Sequence, residues 1–107
     1  MAVDYSDTNS YPRVITVQNI NTSATFITLP RDCTSISFGS TAALHWSNVG
    51  DEGDTFGAAA DITDYGFVPA NNMFHLSMET GRQSNRTLLV STQSGTADLH
   101  LVIIKEK

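Results

Sequence analysis

From Thr96 to Lys107, the side chains Ala97, Leu99, Leu101 and Ile103 alternate with Thr96, Asp98, His100 and Val102. A period of two puts one set on each face of a pleated strand, so this segment reads as a β-strand with one buried face. Such a strand needs neighbours to satisfy its backbone and a second apolar layer to cover its buried face.

Similar runs recur along the chain. Val14 to Asn19 and Thr25 to Leu29 are rich in β-branched residues and are separated by the polar stretch Asn19 to Ala24. Pro30-Arg31-Asp32 ends the second run, and Ser35 to Phe38 alternates again until Gly39. In Ala42 to Asn48, Leu44 and Trp46 share one face and His45 the other. Ile62 to Val68, Met73 to Met78 and Thr87 to Ser91 complete about eight expected strands. Ala58 to Asp61 has the composition of one helical turn, and Glu79 to Asn85 reads as a polar loop. No stretch keeps a helical period long enough to outweigh these readings. The expected fold is all-β, a single small antiparallel β-sandwich. A jelly roll is one arrangement that satisfies the pattern, whereas the Cys-Trp-Cys framework of an Ig-like sandwich is missing.

A chain of 107 residues has room for one domain, burying roughly two thirds of its unfolded surface. Residues 1–11 are polar and acidic and read as a flexible arm, leaving 12–107 as the sandwich. The arm has neither the basic start nor the apolar core of an export signal, and no apolar run approaches membrane-spanning length, so a soluble chain is expected. Six Lys and Arg against eleven Asp and Glu give a net charge of −5, and the basic residues are scattered. Nucleic acid is a poor partner for that distribution. The single Cys33 permits no intrachain disulfide and reads as a small buried hydrophobe.

Reactive constellations are sparse. His45, His75 and His100 all fall on the polar faces of expected strands, and no His-x-His pair is present. The nearest substitutes for a metal site are His75 with Glu79 and His100 with Asp98. There is no Gly-x-Ser-x-Gly elbow. Asp51, Glu52 and Asp54 lack calcium-loop spacing, and Asp61 and Asp64 suit turn capping. Asn21-Thr22-Ser23 and Asn85-Arg86-Thr87 match the glycosylation pattern by composition alone. No catalytic, cofactor or metal residue is assigned, and the chain is read as a non-enzyme.

The order of features in Val14 to Leu29, Ile36-Ser37-Phe38-Gly39, Phe67-Val68-Pro69-Ala70-Asn71 leading into Phe74-His75-Leu76, Thr87 to Ser91 and Ser94 to Ala97 resembles small β-sandwich structural proteins of tailed bacteriophages. Many of these have Pro-Gly where this chain has Pro69-Ala70. The resemblance implies a virion part: a capsid cement or decoration protein, a head fibre or a tail accessory. For a decoration protein it implies synthesis in the host cytoplasm, residence on the capsid surface, the major capsid protein or another virion protein as partner, and a small homo-oligomer such as a trimer. Contacts are expected from Tyr5 and Tyr11 on the arm and from His100, Val102 and Ile104 on the terminal strand. Two other readings compete. One is a carbohydrate-binding sandwich module using Trp46, Tyr65 and the loop Asp51 to Asp54. The other is a cupin-like metalloenzyme using the histidines.

Overall fold

The structure is a computed structural model and describes residues 1–57, 60–78 and 86–105. The expected Ala58 to Asp61 turn lies partly, and the Glu79 to Asn85 loop wholly, outside the described residues. Among the described residues the strands are β1 (Ala2–Asp4), β2 (Arg13–Ile20), β3 (Thr25–Leu29), β4 (Ser35–Ser40), β5 (Leu44–Ser47), β6 (Gly66–Val68), β7 (Asn72–Ser77), β8 (Arg86–Thr92) and β9 (Ala97–Ile104). One sheet has the order β1-β3-β8-β5-β6 and the other β2-β9-β4-β7. With β1 set aside, these two four-stranded, antiparallel sheets have the strand order of an eight-stranded jelly roll.

Alternation decides which side chains enter the sandwich. Ile27, Leu29, Leu44, Val68, Leu88 and Val90 from one sheet meet Val17, Ile36, Phe38, Leu99, Leu101 and Ile103 from the other, all nearly or fully buried. Val17 and Ile20 are three residues apart, a spacing that a regular strand cannot bury on one face. A bulge resolves it. Val17 faces Leu99 and Ile20 faces Ala97, so three steps on β2 match two on β9. Asn19 absorbs the extra residue at φ 59°, a left-handed conformation that asparagine tolerates, and its N–H donates to Asp98 Oδ1 at 3.2 Å.

The first eleven residues differ from the expected free arm. Ala2–Asp4 lies parallel to β3 at the sheet edge, with Phe26 N–H donating to the Met1 carbonyl at 2.9 Å and Tyr5 N–H to the Thr28 carbonyl at 2.8 Å. The cause is physical: β3 has an otherwise open edge, and Val3 gains contact with the core.

Residues 48–57 and 60–65 fold over the outer face of the five-stranded sheet. Ile62 packs with Ala24 and Leu89 in a second apolar cluster, bordered by Phe26 and Phe56. Ala24 N–H donates to the Asp54 carbonyl and Gly53 N–H to the Ala24 carbonyl, at 2.8 and 2.9 Å. Ser47 Oγ donates to the Asp64 carbonyl at 2.9 Å and receives Val49 N–H at 3.1 Å, tying the far end of the segment to β5. Ile62 was expected to open a strand through Val68. Instead it pairs only with Phe56 in an isolated bridge, and the strand begins at Gly66.

Candidate interaction surfaces

The four-stranded sheet presents an outer face organised in two cross-strand rows. Val14, Val102, Ser37 and His75 form one row across β2, β9, β4 and β7; Thr16, His100, Gly39 and Met73 form the next. Val14 is 76% exposed and Met73 54%. Val102 and Ile104 are half-buried between neighbouring strands, and His75 and His100 are exposed. His75 Nδ1 lies 3.0 Å from Ser37 Oγ, and His100 Nδ1 lies 3.5 Å from Thr16 Oγ1. A shallow depression of about 210 Å³ lies at Gly39 between Met73 and His100, bordered by Ser40, Thr41, Asn71 and Asn72. The sequence-derived contacts His100 and Val102 therefore stand on one face with Val14 and Met73, which sequence reasoning missed.

Tyr5 and Tyr11 lie elsewhere and are held within the chain. Both pack partly against the core. The Arg13 guanidinium stands over the Tyr5 ring at 5.0 Å. Tyr11 OH donates to Asp32 Oδ1 at 2.6 Å, and Lys105 Nζ reaches Asp32 Oδ2 at 3.2 Å. Partial burial, followed by the hydrogen bond to Asp32, pushes the Tyr11 phenol well above its ordinary pKa; the same bond holds Asp32 below its own.

A second surface forms where β5 and β6 meet Phe56 and Tyr65 of the segment between them. His45, Phe56, Tyr65 and Phe67 gather on the outer face of the five-stranded sheet. His45 lies 4.9 Å from Tyr65, 5.7 Å from Phe56 and 6.3 Å from Phe67, and Phe56 lies 5.9 Å from Tyr65, measured between ring centroids. Tyr65 is 41% exposed and Phe67 50%. His45 Nε2 sits 3.2 Å from the Gln93 side-chain nitrogen, and burial lowers the pKa of its imidazole. Of this group the sequence reading names only Tyr65 as a ligand platform. The available signal was Phe67, whose neighbour Val68 takes the core side.

Trp46 points the other way, into the sandwich beside Phe38 and Phe74, at 6.1 and 5.3 Å. It therefore does not join Tyr65 in a common platform. Asp54 Oδ2 accepts Asp51 N–H at 2.8 Å, Glu52 pairs with the Met1 amine at 2.9 Å, and Asp61 caps Thr55. These carboxylates are occupied in shaping the loop. Asn21 Oδ1 does the same for its turn by accepting Ser23 N–H.

The histidines do not converge: His45 is on one sheet's outer face, His75 and His100 on the other's. Among the described residues no group of three His, Cys, Asp or Glu side chains is placed to hold a metal ion. Asp98 is engaged by Asn19 rather than by His100, and Glu79 lies outside the described residues. Cys33 is buried beside Met78, its Sγ 3.5 Å from Sδ, and burial raises its thiol pKa. No helix among the described residues is long and apolar enough to cross a membrane. No family model, curated protein or solved structure matches the chain.

Proposed function

We propose that this chain is a non-enzymatic structural protein of a phage particle, a capsid cement or decoration protein that seats the outer face of its four-stranded sheet at junctions between capsid subunits. The observation that supports this reading is the contrast between the two outer faces. Residues 48–57 and 60–65 cover part of the five-stranded sheet and leave Phe67 exposed at its edge strand, whereas the four-stranded sheet carries Val14 and Met73 exposed beside Val102 within its own strands. Jelly-roll domains also serve as lectins and cupins, so the fold by itself selects none of these roles.

Magnitudes favour an oligomer. Full burial of an exposed Val or Met contributes about 1.5–3 kcal/mol. Two such residues and a half-buried third barely offset the roughly 4–15 kcal/mol cost of association. A homo-oligomer such as a trimer engages several equivalent faces at once, turning a weak contact into firm retention.

The test is to add the purified protein to capsids lacking it. Co-sedimentation is expected at about micromolar concentration, together with sedimentation of the free protein as a small oligomer. Val14→Asp and Met73→Asp should each abolish capsid binding without altering the fold. Absence of co-sedimentation by the native chain would sink the proposal.

A further inference from the structure

The corner formed by β5, β6, Phe56 and Tyr65 has properties that the capsid reading does not use. We infer that His45, Tyr65 and Phe67, with Gln93 at their rim, form a binding site for a neutral sugar ring. A sugar offers an apolar face of slightly positive C–H groups and a perimeter of hydroxyls. The negative face of an aromatic ring complements the first, and bifunctional polar groups complement the second. Tyr65 and Phe67 are each about half exposed, while His45 and the Gln93 amide, 3.2 Å apart, supply donors and acceptors beside them.

The arrangement is fixed before a ligand arrives. His45 and Phe67 face each other across the β5–β6 pair, and Tyr65 stands edge-on to both His45 and Phe56, with interplanar angles of 63° and 82°. Little side-chain entropy is then lost on binding. Two half-exposed rings with a narrow polar rim match one or two sugar units, whereas a specific protein interface needs about 800 Å² per partner. The acidic chain, with Asp61 and Asp64 on the segment that carries Tyr65, disfavours anionic sugars.

The experiment titrates isotope-labelled protein with maltose, cellobiose, lactose, mannobiose and N,N′-diacetylchitobiose, each to about 20 mM, a range suited to millimolar affinities. Saturable amide shifts centred on His45, Tyr65, Phe67 and Gln93 are expected for at least one disaccharide. Tyr65→Ala and Phe67→Ala, each checked for a native-like spectrum, should weaken that binding about tenfold or more. Val14→Asp, on the opposite face, should leave it unchanged, which separates this site from the capsid-facing one. No saturable shift with any of the five sugars, or shifts centred elsewhere, overturns the inference. So does conversion of an oligomer to monomer by Phe67→Ala, which would mean that a second copy covers the corner.

Discussion

The indole of Trp46 occupies the space that a β-carbon on Gly66 would need. The two residues face each other across the β5–β6 pair, and a methyl group on Gly66 would overlap Trp46 Nε1. Glycine here lets the largest side chain of the chain lie over a short edge strand while touching Phe38 and Phe74. Gly66→Ala should therefore destabilise the fold by about 1–3 kcal/mol through overpacking. Urea denaturation followed by Trp46 fluorescence reads this directly, and an unchanged midpoint would contradict the packing described.

Phe38 is fully buried and packs edge-on against both Trp46 and Phe74, at interplanar angles of 75° and 69°. Phe38→Ala removes the shared ring of this trio and leaves a cavity between the sheets. The expected cost is about 3–5 kcal/mol, measured as a shift in denaturation midpoint.

Burial of the Tyr11 phenol, together with its hydrogen bond to Asp32, makes stability depend on pH at both extremes. A phenol whose folded pKa is raised contributes stability that is fully present below the unfolded value, about 10, and is lost as pH climbs above it. A carboxylate whose folded pKa is lowered contributes stability that is present above about 3.9 and is lost as pH falls. Tyr11→Phe removes the phenol's contribution and part of the carboxylate's, because Lys105 still holds Asp32 down. Its stability profile from thermal melts should be flatter than that of the native chain above pH 10 and below pH 4. Coincident profiles would show that the bond carries no linkage.

Removing residues 1–4 should not behave as the loss of an idle tail. Val3 leaves the core, the parallel pairing with β3 disappears, and the edge carrying Phe26 opens. A cost of about 1–3 kcal/mol is expected, with new self-association visible by sedimentation velocity. A truncated chain as stable and as dispersed as the native one would restore the reading of a free arm.

Arg86 carries its guanidinium at only 8% exposure. Such a group is costly to bury, so Arg86→Met should raise stability by about 1–3 kcal/mol. The nearby Cys33 supplies a second readout. Arg86 opposes the upward shift of its thiol pKa, so the variant should alkylate more slowly.

Eight of the strands were legible because each carries a local signal, an alternation that pleating turns into two faces. β1 carried none. Three residues within a polar segment become a strand only because β3 offers them an edge, a condition set by the tertiary fold. Ile62 was misjudged for a related reason: its apolar side chain serves a second cluster with Ala24 and Leu89, not a longer strand. The aromatic corner is the hardest feature to anticipate. Its residues run from His45 to Phe67 in sequence and meet only once Phe56 and Tyr65 have been brought against β5. The inward direction of Trp46 is legible in the sequence because Leu44, two residues before it, marks the core side.

The two sheets of a sandwich look in opposite directions, and among the described residues only the five-stranded sheet has a loop segment laid over its outer face. A molecule seated on its four-stranded side would turn Tyr65 and Phe67 toward the surrounding medium. Orientation would then follow from the fold, with one face for attachment and the other for display. A repeating shell covered with such molecules would present the same aromatic corner at every site, so that even a ligand held feebly by one copy would meet an ordered array.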